Sequence, residues 1–188
     1  MQLIILDADK QKSVRAYCDH DVISQIPIYC KMLSAAHKLE GSYDKDNMVT
    51  PDYYYHPIVW WIRESSFNYK YLADVTYLLA QEFENRYKQQ HYLLGKIEYL
   101  LVVTPSCENE NEYDYPYTPK DRKQNEDCLF SLETVIEKCR AEYINERSRY
   151  AMWRYTNMPD WYPPHLIENV IIEKDSMFIN YLKEQNSK

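Results

Sequence analysis

Glycine is almost absent from this chain, with only Gly41 and Gly95 among 188 residues. A P-loop, a dinucleotide-binding turn and a kinase glycine-rich loop each need several closely spaced glycines, so none of them can be built here. Tight β-hairpins also rely on glycine where the backbone takes a positive φ. The scarcity therefore favours helices over an all-β sandwich, and it leaves any phosphate to side chains and helix N-termini.

Charge and hydropathy restrict the class of protein further. The chain carries 22 basic and 29 acidic side chains, a net charge of −7, which argues against a broad surface for duplex nucleic acid. A small nucleotide or a single base held in one pocket remains compatible with that charge. The N-terminus does not resemble a signal peptide, no apolar run approaches the roughly 20 residues of a membrane span, and the five cysteines form no C-x-x-C pair. We therefore expect a cytoplasmic protein with reduced thiols and no membrane partner.

Apolar periodicity predicts a single domain over 1–188, with a helical core and a small β-sheet that includes the N-terminal strand (α+β). The predicted strands are 2–6 and 97–104. Helices are predicted over about 10–20, from Ser24 onward with Pro27 in the first turn, over 58–91 and over 129–155. A Tyr-rich loop covers 41–55, a polar loop covers about 106–127, and an appended segment covers about 165–188.

The predicted helix over 58–91 is the most informative element. Spacings of four and three place eight residues on one inward face: Trp61, Ser65, Asn68, Leu72, Val75, Leu79, Glu82 and Arg86. This face is apolar in the middle and polar at both ends. Unpaired buried polar groups would cost roughly 1–3 kcal/mol each, so these side chains must pair with protein groups or with a ligand. Both interpretations stay open at the level of sequence.

Under the ligand interpretation, the chemistry indicates a nucleotide or nucleobase. Arginine offers a fork for phosphate, tryptophan offers a stacking face, and a residue before a helix N-terminus lies where anions bind. The candidate binding residues are His56, Trp60, Trp61, Arg63, Ser66, Asn68 and Arg86. Proton transfer would fall to Glu82 with His37 or His91. His37 ends an apolar stripe (Ile26, Cys30, Leu33), a position more often held by a satisfied core histidine than by a ligand-binding one.

The segment Cys18-Asp19-His20-Asp21 contains a His-Asp dipeptide of the kind that metal-dependent phosphohydrolases use. One dipeptide is too little to define a metal centre, and Cys18 lies on an apolar stripe as a buried thiol would. We therefore assign no metal ligand and no cofactor.

Four blocks of residues together form a longer pattern. The most specific is His56-Pro57, Trp61, Arg63-Glu64-Ser65-Ser66, Asn68-Tyr69 and Leu72, continuing to Glu82, Arg86-Tyr87 and His91. The others are Asp7 with Asp9, Cys18-Asp19 with Met32 to His37, and Ala151, Trp153, Pro159 and Trp161. In these blocks, which cover most of the chain, the protein resembles a family of small, functionally uncharacterised proteins of tailed phages and environmental viruses.

One segment departs from that family. The family pattern is Cys-Asp-Lys-His-Val-Val-Lys with an acidic residue four positions later, whereas this chain has Asp21 in place of the histidine and Ile28 in place of the acidic residue. If that helix carries a general acid or base in the family, the group is lost here.

Two main functions follow as expectations. The first is a phage-type protein that recognises a nucleotide or nucleobase on the 58–91 helix and, if it is an enzyme, hydrolyses a glycosidic or phosphate bond. The second is a non-catalytic protein of the same scaffold that sequesters a nucleotide, for instance a host defence signal. A third reading is a virion or complex component that uses its aromatic surface for protein contacts, and a homo-oligomer or protein partner is left open.

Overall fold

The computed structural model of the protein describes residues 3–107 and 131–167. Within these ranges the chain is mainly helical, as the glycine scarcity indicates. The elements are α1 (Lys10–Arg15), α2 (Asp19–Leu39), α3 (Pro57–Glu64), α4 (Ser66–Tyr87), α5 (Leu94–Val102), α6 (Leu132–Arg147) and a 3-10 helix (Pro164–Leu166).

Helix α4 is the centre of the fold, since α1, α2, α3 and α5 all pack against it. The eight inward positions predicted for the 58–91 helix are all buried, including the polar ones at both ends, and they lie on α3, at Ser65 and on α4. The side chains that fill the core around α4 include Tyr17, Tyr29, Leu33 and Phe83.

The predicted helix over 58–91 is wrong as one continuous element, because it breaks at Ser65 and ends at Tyr87. Ser65 is extended (φ −152°, ψ 142°), so it is at once the C-cap of α3 and the N-cap of α4. Its Oγ accepts a hydrogen bond from the Phe67 N–H at 3.1 Å. A serine that caps a helix supplies the break without glycine or proline.

The predicted N-terminal strand is also wrong, because residues 3–6 are buried without forming a strand. Their backbone groups pair with side chains instead. The Ile4 carbonyl accepts from the Tyr17 hydroxyl at 2.6 Å, and the Leu6 N–H donates to Ser13 Oγ at 2.9 Å. Buried backbone needs hydrogen-bond partners, and here side chains replace a neighbouring strand.

Most of the second predicted strand, 97–104, is helical, since α5 runs to Val102, and no β-strand occurs in the described ranges. A short apolar run is ambiguous between a strand and a buried helix. The buried positions Leu93, Ile97 and Leu100 lie four and three residues apart, which is the helical spacing. The small sheet that the sequence predicted is therefore not supported.

Helix α2 begins six residues earlier than predicted, with Cys18 rather than Ser24 as its N-cap, so Pro27 lies inside the helix. The predicted helix over 10–20 accordingly ends at Arg15. The last predicted helix is shorter than 129–155, running over Leu132–Arg147. Most of the polar loop (106–127) and of the appended segment (165–188) lies outside the described residues.

Within the described residues, no helix combines the length and the apolar character that crossing a bilayer would require.

Candidate functional site

The predicted site residues fall into two groups at opposite ends of α4. Asn68 lies in the first turn of α4 and Glu82 four turns later, so a rise of 1.5 Å per residue separates them by about 21 Å. No single nucleotide-sized ligand can contact both ends. The structure thus brings His37, Arg63 and Asn68 to one end of α4, and Glu82, Arg86 and His91 to the other.

At the far end, Arg86 is the hub of a buried charge network. Its Nε donates to Glu82 at 2.7 Å, and Nη1 donates to Asp19 at 3.0 Å. Nη1 also reaches the Tyr17 carbonyl at 2.9 Å, and Nη2 reaches the Arg15 carbonyl at 3.0 Å. The arginine side chain is only 1% exposed. These contacts connect α4 to the end of α1 and the start of α2. The buried polar side chains Glu82 and Arg86 at the far end of α4 are therefore paired by protein groups alone.

His91 follows α4 and is buried against its last turns. Its Nδ1 accepts the Leu93 N–H at 3.2 Å, and its ring meets Phe83 edge-on with centroids 5.1 Å apart. Burial lowers the pKa of His91 to about 4, so the imidazole is neutral near pH 7. A neutral, buried ring in this place contributes to packing around the helix end.

At the near end, Asn68 closes the break between α3 and α4. Its side-chain amide donates to the Trp61 carbonyl at 3.0 Å, a C-terminal carbonyl of α3 that the helix break leaves without a following turn. Trp61 is itself buried, with its ring edge-on to Tyr71 at 6.0 Å. The two residues therefore lie in the core, and the neighbouring Ser66 begins α4.

The outer face of α3, which we define by His56, Trp60 and Arg63, is the exposed part of the predicted site. Trp60 is 55% exposed, and Arg63 lies one turn later on the same face. Arg63 Nε donates to Glu40 at 2.6 Å, with both side chains half-buried. His56 caps α3, since its Nδ1 accepts the Ile58 N–H at 3.2 Å.

His37 lies close to this face, at the end of α2, and forms a hydrogen-bonded chain. Its Nδ1 is 2.8 Å from Ser42 Oγ, and its Nε2 is 2.8 Å from the Tyr69 hydroxyl, which in turn donates to the Leu100 carbonyl at 3.3 Å. Two proton arrangements satisfy these distances. With the ring proton on Nε2, the ring donates to Tyr69 and Ser42 donates to Nδ1; with the proton on Nδ1, the ring donates to Ser42 and Tyr69 donates to Nε2. Burial lowers the pKa of His37, against a hydrogen bond to the Val103 backbone that raises it.

Sequence reasoning missed Ser42 and Tyr69. Tyr69 falls within the predicted 58–91 helix but not among its eight inward positions, and Ser42 falls in the predicted Tyr-rich loop. A signal was present in the spacing, because a glycine followed by serine, directly after a helix whose inward stripe ends in His37, is typical of a helix C-cap.

The His20-Asp21 dipeptide belongs to a separate ion-pair cluster, in which Asp21 is the buried carboxylate. Asp21 is 1% exposed and pairs with Arg147 Nε at 3.1 Å and with His20 Nδ1 at 3.3 Å. Burial alone would raise the pKa of Asp21, but His20 and Arg147 bring it below its usual value. In the part of the chain that the structure describes, no group of three His, Cys, Asp or Glu side chains is placed to hold a metal ion.

No protein-family model, curated protein or solved structure matches this chain. The resemblance to phage and viral proteins therefore stays a prediction, and what the site does has to be argued from its geometry. A small surface cleft lies elsewhere, lined by Ile4, Cys139, Tyr143, Glu146 and Arg147, and none of the predicted site residues lines it.

Proposed function

We propose that the protein binds a nucleotide or a nucleobase-containing ligand on the outer face of α3. The observation that carries the proposal is Trp60, which exposes 55% of its surface one helical turn from Arg63. An exposed indole is a stacking platform for any base, worth about 1–3 kcal/mol per stacked base. Arginine is the side chain best suited to a phosphate beside it.

The contact with Glu40 supports this role for Arg63. Glu40 accepts from Nε at 2.6 Å, which orients the guanidinium at the end of α3. Phosphate recognition by arginine uses the terminal Nη groups, which form the outer edge of the fork. Because the chain carries a net charge of −7, a phosphorylated ligand gains little from long-range attraction and depends on this local contact.

Geometry limits which residues could act on such a ligand. Glu82 and His91 lie about 20 Å along α4 from the outer face of α3, so neither reaches a ligand bound there. His37 is the one proposed catalytic residue at the same end. Binding without turnover, as in sequestration, therefore needs fewer assumptions than glycosidic or phosphate hydrolysis by the residues first proposed.

Calorimetric titration with nucleoside monophosphates, nucleosides and free bases tests the proposal. Trp60→Ala should weaken binding of all three classes by about tenfold or more, because every base loses its stacking partner. Arg63→Ala should weaken binding of the monophosphates alone. Val102→Ala, at an 83% exposed position on α5, is the control and should bind like the wild type.

Chromatography of the same mixtures separates sequestration from turnover, since an intact nucleotide that co-elutes with the protein indicates binding alone. If no member of the panel binds at millimolar concentration, or if Trp60→Ala binds as tightly as Val102→Ala, the proposal is wrong.

A further inference from the structure

The end of α2 holds a serine, Ser42, in hydrogen-bond contact with a buried histidine, His37. Gly41 takes a positive φ of 75°, the Ser42 N–H donates to the His37 carbonyl at 2.9 Å, and the Gly41 N–H donates to the Lys38 carbonyl at 3.4 Å. This is the Schellman ending of a helix, in which the residue after the glycine packs against the residue five positions earlier. The backbone thereby holds Ser42 against His37.

The side-chain pair at this position is unusual for such a helix end. Schellman endings are normally closed by an apolar contact, whereas here a hydroxyl meets an imidazole. Ser42 Oγ lies 2.8 Å from His37 Nδ1 and 3.5 Å from the His37 carbonyl, so the ring nitrogen is the nearer acceptor. An apolar pair would cap the helix equally well, so the cap alone does not require a serine and a histidine.

The far side of the imidazole is fixed as well. The Tyr69 hydroxyl lies 2.8 Å from Nε2, and it lies 3.3 Å from the Leu100 carbonyl, to which it can donate. The proposed tautomer has the ring proton on Nε2, so that Nδ1 carries the lone pair that faces Ser42. A nucleophile, a base and a group that orients the base are the three parts of a hydroxyl activated for covalent catalysis.

The approach to Ser42 is open. Ser42 is exposed, while His37 behind it is fully buried. A Cβ built on Gly41 would meet no atom within 4 Å, so the turn that carries Ser42 faces open solvent. Glu40, two residues before Ser42, pairs with the Arg63 guanidinium at 2.6 Å, so the end of α3 lies against this end of α2.

We infer that Ser42 is a nucleophile for carboxylic esters, with His37 as its general base and Tyr69 as a positioning residue. Ser42 Oγ attacks the ester carbonyl carbon, its proton passes to His37 Nδ1, and the C=O electron pair moves onto oxygen. Collapse breaks the bond to the alcohol, which takes the proton from His37. Water then attacks the acyl-serine, giving one proton to His37 Nδ1 and releasing the acid, and His37 returns that proton to Ser42.

This inference does not depend on the nucleotide proposal, and its test uses no nucleotide. The full chain is incubated with a fluorophosphonate probe, and the modified peptide is identified by mass spectrometry. Hydrolysis of p-nitrophenyl acetate is followed in parallel. We expect the adduct on Ser42, and we expect Ser42→Ala to lose the adduct and at least roughly 100-fold in ester hydrolysis.

Ser106→Ala replaces another exposed serine and is the matched control, which should react like the wild type. His37→Gln should lower the rate at which the probe labels Ser42 by roughly 100-fold. Because His37 is buried, that variant is compared only after its circular dichroism spectrum matches the wild type. An unlabelled Ser42, or labelling no faster than that of Ser106, overturns the inference whatever His37→Gln does.

Tyr69→Phe tests the positioning role by a signal that packing alone would not move. In the wild type, ¹⁵N chemical shifts of His37 should report a proton on Nε2 and none on Nδ1. The variant removes the acceptor of that proton, so the shifts should move toward a mixture of tautomers while labelling slows about tenfold. Unchanged ¹⁵N shifts in the variant would refute the role given to Tyr69.

Discussion

Replacement of Arg86 by methionine is the perturbation that best tests the reading of the buried charge network. Methionine keeps most of the side-chain volume and removes the guanidinium. Glu82, which is 8% exposed, then loses its ion-pair partner, and Asp19, which is 6% exposed, keeps the more distant Arg154 guanidinium at 3.8 Å. Two backbone carbonyls, of Arg15 and Tyr17, lose a donor as well.

The magnitude follows from these losses. Removing one partner of a buried ion pair costs about 3–5 kcal/mol, because the remaining charge stays buried without compensation. Domains of this kind are stable by about 5–15 kcal/mol in all, so the variant should lose a large part of its stability. With a urea slope of about 2 kcal/mol per molar, the midpoint should fall by about 2 M.

Urea denaturation followed by circular dichroism measures this shift, with Arg63→Met as the matched control. Arg63 pairs with Glu40 at the half-buried surface, so the same substitution there should cost less than about 1 kcal/mol. Adding Glu82→Gln and Asp19→Asn to Arg86→Met should restore part of the loss, because the stranded charges are removed together. If Arg86→Met stays within 1 kcal/mol of the wild type, or costs no more than Arg63→Met, the network does not hold α1, α2 and α4 together.

Two further perturbations address the core histidine and the helix break. The pKa of His91 is about 4 in the folded protein, compared with an ordinary value of 6.5. Between these two pH values the unfolded chain binds a proton that the folded protein does not, so the free energy of unfolding falls as the pH drops from 6.5 to 4. Between these two pH values the loss of unfolding free energy amounts to about 3 kcal/mol. His91→Asn cannot titrate, so its unfolding free energy should fall by that much less over the same pH range. Equal slopes for the variant and the wild type would refute this assignment of the pH dependence to His91. Ser65→Ala should cost about 0.5–2 kcal/mol in thermal or urea unfolding, because the Phe67 N–H loses its acceptor. Ser66→Ala, one position later in α4, is the control, and an equal loss there would mean that the cap at Ser65 is not what stabilises the break.

The polar ends of the long buried face show how far sequence reasoning reaches here. The spacing of four and three placed all eight residues inward, and all eight are buried. The free-energy cost of burying polar groups requires that the polar side chains on this face have hydrogen-bond partners. The spacing does not identify those partners. Asn68 pairs seven residues away, whereas Arg86 pairs with Asp19 across 67 positions of sequence. Only the second kind of contact depends on how helices pack, so no local pattern could have identified it.

The failed strands have a related cause. Residues 3–6 and 97–104 are short apolar runs. Residues 3–6 are buried, and within the second run Ile97 and Leu100 are buried. Whether such a run becomes a strand depends on a second strand to pair with, which is a property of the whole chain. The Ile4 carbonyl finds the Tyr17 hydroxyl instead, and α5 satisfies its own backbone.

The scarcity of glycine did determine the class of the protein, because helices satisfy their backbone groups locally and need glycine only where they end. One of the two glycines, Gly41, serves that purpose with its positive φ at the end of α2. The local turn that follows α2 brings Ser42 against His37. Tyr69, at the start of α4, reaches the other side of the His37 ring only because α2 packs against α4. Packing of distant helices brings such side chains within hydrogen-bond distance, and periodicity in the sequence carries no record of it.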